Sequence, residues 1–287
     1  MDLSVITVTH NDKEQILGQI PTVINGAKNI SFEQWVVDNA SADGAPDAIE
    51  KEFPNVKIIR NDTNTGFGYA NNQAAKRSSG EFLLFLNPDM RVEEGSLDKM
   101  VAWMRAHPDV GISSCKLVDQ NGKFNEDAKP RRFPRLSDQV AILLKLPHLF
   151  PKIIGNYLYK DFDPELEQEV DSVRGSFLLM RRKLYDKLGW AFDPRYFIWY
   201  EDVDTCRECV KNGMKVMYTP VVSCVDYVGQ SFKKKDTLWK QKVVTKSMLQ
   251  YFQKWEPWYK WMVIAVLRPI AIASVAIAML FVNKKQN

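Results

Sequence analysis

Leu3-Ser-Val-Ile-Thr-Val-Thr9 is followed at once by His10-Asn11-Asp12. A short β-branched run without polar alternation reads as a strand buried on both faces, as in a parallel sheet. The switch to His10-Asn11 then puts polar groups at the strand's carboxyl end. The pattern recurs down the chain. A helical pattern spans Lys13 to Ala27. Phe32 to Asp38 is a second strand that ends in Asn39-Ala-Ser-Ala-Asp-Gly44. Val56 to Arg60 is a third, followed by polar Asn61-Asp62 and a helix from Gly66 to Arg77. Phe82-Leu-Leu-Phe-Leu86 is a fourth strand, stopping at Asn87-Pro-Asp89, with a capped helix from Ser96 to His107 and a strand at Val110 to Ser113 beyond it. Strands alternating with helices predict an α/β fold with a mostly parallel sheet covered on both faces. In such sheets ligands sit beyond the carboxyl ends of the strands, where these polar clusters fall.

From Asp119 to Glu169 the pattern weakens around five prolines and predicts irregular loops and short helices. Arg174 to Met180 resumes as a strand, Glu201 to Asn212 as a helix and Lys215 to Tyr218 as a strand. The 287 residues are 45% hydrophobic and 26% charged, which excludes a disordered chain, a collagen and a small disulfide scaffold. Net charge is +4 but uneven: residues 226–287 carry +8 and residues 1–225 carry −4. Only the tail therefore expects an acidic or anionic partner. The first residues, MDLSVITVTHND, lack a basic stretch followed by an apolar one, so no secretory signal is expected there, and the four cysteines suit a cytosolic chain. Cys206 and Cys209 form a C-x-x-C with no second pair or nearby His to complete a zinc site, and read as two thiols on a helix.

Chemistry-bearing residues follow from the strand ends. A strand-end Asp38 can accept hydrogen bonds from a pyrimidine N–H or a ribose hydroxyl, or it can cap an Asx-turn. Asn87-Pro-Asp89 is either a turn or a place where Asp89 holds a divalent cation. Glu201-Asp202-Val-Asp204 opens a helix, whose N-terminus stabilises anions and so favours acids for structural as well as catalytic reasons. Four segments, Ser4 to Asn11, Val37 to Gly44, Asn61-x-x-Asn64-x-Gly66-Phe-Gly-x-x-Asn71-Asn72 and Phe85 to Asp89, stand in order with Glu201-Asp-Val-Asp-x-Cys206-Arg207 downstream. Together they resemble the family 2 inverting glycosyltransferases, and within them the bacterial rhamnosyltransferases of cell-surface polysaccharide assembly, over residues 3 to 232.

The resemblance implies a GT-A fold, a nucleotide-binding half to about residue 115 and an acceptor-binding half from 116 to 232. It implies a Mg²⁺ or Mn²⁺ cofactor, a nucleotide-diphospho-sugar donor and a lipid-linked saccharide acceptor at the cytoplasmic face of the membrane. Asp38 then contacts the nucleoside, with Thr9, Asn11, Asn39, Asn64, Gly66, Asn71, Asn87, Arg174 and Gly175 around the donor. Asp89 is the principal metal ligand. Asn87 departs from the family's Asp-x-Asp, and Asp226 stands where relatives often carry a His ahead of Gly229-Gln-Ser231. The base falls in the acidic motif and is assigned to Asp202, with Glu201 and Asp204 as rivals. Trp199, Tyr200 and Arg207 are expected on the acceptor side. The sugar is expected to be L-rhamnose from dTDP-rhamnose, with a UDP-sugar donor as the alternative. A nucleotidyltransferase would want glycines and a lysine near residues 7–12, where there are none. A non-catalytic scaffold would have no need for Asp38, Asp89 and Asp202 together.

The tail, residues 233–287, is separate in character. Trp255, Trp258, Tyr259 and Trp261 precede a stretch to Val282 that is apolar apart from Arg268-Pro269, and Lys284-Lys285 closes it. Trp261 to Val282 is long enough for a bilayer of about 30 Å. An aromatic belt and flanking lysines suit a membrane interface. The reading is two short helices bent at Pro269 and lying at the membrane, with the Lys233-Lys234-Lys235 run near lipid phosphates; a soluble helical hairpin or a contact between copies of the chain is the alternative. Basic residues beside an apolar tail, without a reader module, give no support for nucleic-acid binding.

Overall fold

Hydrophobic strands joined by helical crossovers build the first half of the sheet. In the computed structural model, which describes residues 1–227 and 236–283, Leu3–Thr9 (β1) lies parallel to Phe32–Asn39 (β2), and β2 to Lys57–Asn61 (β3). Phe82–Leu86 (β4) is parallel to β1 on its other side. Helices Lys13–Gly26 (α1), Ala45–Glu52 (α2) and Phe67–Arg77 (α3) make the crossovers. All four strands therefore end on one side, at Thr9, Asn39, Asn61 and Leu86.

The second half extends the sheet. Met90–Val92 (β5), Ser96–Ala106 (α4), Val110–Val118 (β6), Leu136–Leu143 (α5), Gln168–Glu169 (β7), Phe177–Arg181 (β8), Arg182–Leu188 (α6), Glu201–Lys211 (α7) and Lys215–Asp226 (β9) follow in order. The sheet order is β3-β2-β1-β4-β8-β6-β9-β5, with β7 paired to β9. β8 is antiparallel to β4 and β6, and β5 is antiparallel to β9. Successive residues of a strand face opposite layers. Leu84 and Leu86 of β4 join a core with Leu97, Met100 and Met104 of α4. Leu83 and Phe85 join the opposite core with Ala70 and Ala74 of α3 and with Cys206 and Cys209 of α7. The two thiols are thus core groups, and burial pushes that of Cys209 up to about 12.

Two further helices, Thr237–Trp255 (α8) and Trp258–Asn283 (α9), pack beside α5. Their core holds Met248, Tyr251, Phe252, Ile264 and Ala271 with Leu143 and Tyr196. Each of these large side chains contributes about 1.5–3 kcal/mol by leaving water.

Several elements differ from the sequence reading. α2 has few apolar residues to mark it, and β5 is three residues long. β6 and β9 run on to Val118 and Asp226 because they pair with each other along most of their length. β8 begins at Phe177, since Arg174 to Ser176 line a cleft rather than continue the ladder. Pro269 does not break the tail: α9 is continuous, held on both sides of the proline by buried Ile264, Ala271 and Val275. The division expected near residue 115 falls inside β6, while the 232/233 boundary, Gly229-Gln-Ser231, Lys233-Lys234-Lys235 and Lys284-Lys285 lie outside the described residues.

Candidate active site

The strand ends open into one cleft of about 420 Å³. Its floor comes from Thr9, His10 and Asp12 after β1 and from Asn39 after β2. Asn64, Gly66 and Phe67 form one side. Asn87 to Asp89 with Asp226 form another, and Arg174 to Ser176, Phe197 to Trp199, Glu201 and Asp202 close the far wall.

Asn39 organises the nucleotide-side loops. Its Nδ2 donates to Asn64 Oδ1 (3.0 Å), and its Oδ1 accepts from the Thr65 N–H (3.0 Å) and Oγ1 (3.0 Å). Gly66 follows with φ +89°, and a Cβ there would sit 2.5 Å from the Phe197 carbonyl oxygen, which accepts the Phe67 N–H at 2.7 Å. Only glycine allows this approach at this backbone angle. The Asn64–Gly66 loop is thereby seated on the segment that leads into the acidic motif.

Thr9 and Asp38 are register partners on β1 and β2. Both are buried, and Thr9 Oγ1 and Asp38 Oδ1 each have no hydrogen-bond partner among the described residues. Asp38 Oδ2 accepts the Ser41 N–H (3.1 Å). Buried polar atoms are nearly always satisfied, so unpartnered atoms on two paired strand-end residues stand out.

The Asn87-Pro-Asp89 turn is fixed by α1, whose Gln19 Nε2 donates to the Asn87 carbonyl (2.5 Å). Antiparallel pairing of β5 with β9 sets Met90 opposite Asp226, and the Tyr227 N–H donates to the Asp89 carbonyl (3.1 Å). This register brings two carboxylates distant in sequence onto one wall. Burial, then the Asp226 and Asp12 charges, push the Asp89 carboxyl up to about 6. Asp226 Oδ2 also accepts from Asn125 Nδ2 (3.3 Å). Among the described residues no cluster of three or more His, Cys, Asp or Glu side chains forms a metal cage. Two hard oxygen donors repelling each other in a buried wall fit a divalent cation that takes its remaining ligands from a substrate.

Across the cleft, α7 presents the acidic motif. Trp199 (φ 66°) and Tyr200 (φ 70°) are both left-handed, a conformation that costs side-chain-bearing residues energy and recurs at functional sites. Tyr200 is anchored by its hydroxyl to Gln139 Oε1 (2.7 Å). Asp202 is half-buried on the wall; its Oδ2 accepts the Gly175 N–H (3.1 Å) and its Oδ1 the Val203 N–H (2.8 Å). A Cβ on Gly175 would touch Asp202 at 3.5 Å, ordinary contact, so the chain's own packing does not demand glycine there. Glu201 is buried, its Oε2 has no partner among the described residues, and burial followed by the Asp202 charge holds its carboxyl well above the usual range.

The structure therefore brings together Thr9, Asn39, Asn64, Gly66, Asn87, Asp89, Arg174, Gly175, Trp199, Glu201, Asp202 and Asp226. It places the remaining candidates off the cleft lining. Asn11 ties the first two strand-end loops, accepting the Ala42 N–H at 2.7 Å. Asp38 is buried at the end of β2, off the lining. Asn71 donates to the Phe67 carbonyl inside α3 (3.0 Å). Asp204 is fully buried and accepts from Lys254 Nζ (2.7 Å), Trp255 Nε1 (2.6 Å) and the Tyr196 hydroxyl (3.2 Å), so it faces the tail rather than an acceptor. Arg207 binds the Tyr251 hydroxyl (3.0 Å) and Glu256 (3.2 Å), and it also serves the tail. Tyr200 is half-buried, bonded to Gln139 and against the Tyr251 ring. The sequence reading missed Asp12, Asn125, Asp127 and Trp239 on the lining. Asn125 and Asp127 come from the weakly patterned stretch and Trp239 from α8, where residue type alone carries no site signal.

Residues 4–189 match the family described as Glycosyl transferase family 2. An N-acetylglucosaminyl-diphospho-decaprenol L-rhamnosyltransferase of Mycobacterium tuberculosis is 28% identical over 209 residues, 68% of this chain and 66% of that protein. Rhamnosyltransferase WbbL of Escherichia coli K12 is 28% identical over 61% of this chain and 66% of its own. The matches thus span just under two thirds of these relatives' length. Among solved structures, the mannosyltransferase PcManGT of Pyrobaculum calidifontis, captured with GDP-Man and Mn²⁺, superposes with a TM-score of 0.60 at 18% identity, covering 98% of this chain and 75% of its own. Staphylococcus aureus TarS residues 1–349 with UDP-GlcNAc gives 0.55 at 18%, covering 87% and 67%. The sheet order, the cleft beyond the strand ends and the family match agree: the chain belongs to glycosyl transferase family 2.

Proposed function

We propose that the chain is an inverting, metal-dependent glycosyltransferase that moves L-rhamnose from dTDP-rhamnose onto a lipid-linked saccharide at the cytoplasmic face of a bacterial membrane. The observation that carries the reading is one cleft lined both by the Asp89–Asp226 pair and by Asp202, together with the donor-side loops. Asp89 and Asp226 would hold Mg²⁺ or Mn²⁺, which when bound neutralises charge on the departing diphosphate. Thr9 Oγ1 and Asp38 Oδ1 offer unmet hydrogen-bonding capacity to the nucleoside. Arg174, a cation on the lining, would serve the phosphate oxygens.

Asp202 takes the proton from the acceptor hydroxyl. The freed oxygen attacks the anomeric carbon as the bond to the diphosphate oxygen breaks, the electron pair leaving with the diphosphate. Glu201, whose charged form burial disfavours, is less suited than Asp202 to be the base. The rhamnose and the diphosphate-lipid acceptor rest on the activity named for the mycobacterial relative. A second reading, a UDP-N-acetylhexosamine donor, is favoured by the poly(ribitol-phosphate) β-N-acetylglucosaminyltransferase TarS, 27% identical over 69% of this chain.

A donor screen tests both readings. Purified protein with Mg²⁺ or Mn²⁺ is given dTDP-rhamnose or UDP-sugars, with and without a lipid-diphosphate-GlcNAc acceptor, and nucleotide diphosphate release is followed. Release from dTDP-rhamnose that needs metal and acceptor supports the first reading. Release from a UDP-sugar instead transfers support to the second, and no release from any donor by the folded protein counts against both.

A further inference from the structure

α9 is the one helix among the described residues long and apolar enough to cross a membrane, Trp258–Met279. Its packing bears on how it meets one. Ile264, Ala271 and Val275 form a buried stripe against α5 and α8, with Leu267 beside it, about 17 Å of the helix. The opposite side exposes Trp258, Tyr259, Met262, Val266, Ile270 and Ile277. At mid-helix, Arg268 Nε donates to Thr245 Oγ1 (3.3 Å) and its Nη2 to the Lys242 carbonyl (3.4 Å), both on α8. Lys242 and Lys246, exposed on α8, therefore sit beside the middle of α9. A transmembrane α9 would drag both lysines to the bilayer's centre, where charge is expensive.

A second apolar feature starts where α5 ends. Leu136, Val140, Ile142 and Leu143 of α5 pack with Trp261, Ile264, Leu267 and Ala271 of α9. The chain then makes two 3₁₀ turns, Leu146–His148 and Pro151–Ile154, each with proline in its first turn. Between and around them Leu144, Leu149, Phe150 and Ile153 are exposed, Leu149 by 73% and Phe150 by 62%. Prolines that fix φ hold these side chains outward with little entropy left to lose. The titratable side chains nearby, Lys145, His148, Lys152 and Lys160, are exposed and basic, and residues 144–160 contain no Asp or Glu. Apolar tips ringed by lysines match the boundary between acyl chains and anionic head groups.

We infer that Leu144–Ile153 is a second membrane-contact element, which together with the exposed side of α9 seats the protein on one leaflet of an anionic bilayer, with α9 in the interfacial plane rather than across it. This rests on the membrane reading of α9 and adds to it a second anchor and an orientation. The segment's function is then to fix the tilt of the catalytic cleft over the lipid surface, so that a head-group-linked acceptor meets Asp202 from one direction.

The test uses the full chain and vesicles of phosphatidylcholine with and without phosphatidylglycerol. Leu149→Cys, Ile270→Cys and Lys242→Cys are labelled singly for depth measurement, the four native cysteines being buried. The expected result is that labels at 149 and 270 both reach the shallow acyl region when phosphatidylglycerol is present, while 242 stays in water. Leu149→Glu with Phe150→Glu, both side chains outside the cleft and the core, should lower vesicle partitioning about tenfold or more with nucleotide binding unchanged. Insertion at 270 with 149 left in water overturns the second anchor while α9's membrane role stands. A 270 label at the bilayer centre overturns the in-plane orientation. No insertion at either site overturns the inference and the membrane reading of α9 together. Loss of self-association in the double Glu variant, with vesicle binding unchanged, assigns the face to a second copy of the chain and overturns it too.

Discussion

Lys254 Nζ of α8 lies 2.7 Å from Asp204 Oδ2 of α7, and also 3.0 Å from Asp193 and 3.0 Å from Glu208. One ammonium thus bridges three acids at a largely buried junction, with Arg195 on Asp193 and Lys211 on Glu208 as further cations, and Trp255 donates to Asp204. The tail is fastened to the helix that carries Glu201 and Asp202. The third acid of the motif is therefore an anchor point, and the position of the cleft's acidic wall depends on the docking of α8.

Lys254→Met should be strongly destabilising. Removing one partner of a buried ion cluster leaves uncompensated charge and typically costs about 3–5 kcal/mol. Chemical denaturation should show that loss, and adding Asp204→Asn to the variant should recover part of it, since the two effects share one interaction. Additive losses in the double variant would show that the contact carries no coupling.

Asp202 and Glu201 are neighbours with opposite expectations. Asp202→Asn removes the proton acceptor and should lower turnover about 10²–10⁴-fold while nucleotide binding, measured by calorimetry, is retained. Burial disfavours the charged form of Glu201, so Glu201→Gln, which keeps a neutral hydrogen-bonding group there, should change turnover only a few-fold. A large loss in Glu201→Gln together with a mild one in Asp202→Asn would exchange the two roles.

The sequence displays the first half of the molecule well because each strand there is short, carries apolar or β-branched residues and ends in polar residues, so Thr9, Asn39 and Asn87 fall at strand ends, while Asn64 and Gly66 come with the family resemblance. What it hides is non-local. The juxtaposition of Asp226 with the Asn87-Pro-Asp89 turn depends on a three-residue strand pairing 132 to 136 positions away, Met90 with Asp226 and Val92 with Cys224. Asp204 and Arg207 look like site residues because they share a helix with Asp202, yet helical rotation turns them to Lys254 and Tyr251. Pro269 looks like a break until the packing of Ile264 and Ala271 on either side is known.

Asp89 is held against its own electrostatics, which separates stability from function. Its carboxyl, raised to about 6 from the ordinary value near 4, keeps a proton in the native state where the unfolded chain has lost it. Its unfavourable contribution in metal-free protein is therefore absent below about pH 4 and complete above about pH 6. Asp89→Asn should accordingly match the parent's melting temperature near pH 4 and exceed it at pH 7, while losing metal-dependent transfer. A variant less stable than the parent at pH 7 in chelator would show that the carboxylate is held by favourable contacts instead.

Gly66 and Gly95 both have positive φ, +89° and +66°, and differ in surroundings. Nothing lies within 4 Å of a Cβ placed on Gly95, so Gly95→Ala should cost only the backbone penalty of about 1–2 kcal/mol. A Cβ on Gly66 would meet the Phe197 carbonyl oxygen at 2.5 Å and the Phe197 ring at 2.8 Å. Backbone cannot yield as a side-chain tip can, so Gly66→Ala must move either the Asn64–Gly66 loop or the Phe197–Trp199 segment, which lines the cleft with Asp202. The expected outcome is a larger stability loss than in Gly95→Ala and a nucleotide affinity at least tenfold weaker, whereas Gly95→Ala leaves affinity unchanged. Equal affinities in the two variants would mean that the contact between these loops does not shape the donor site.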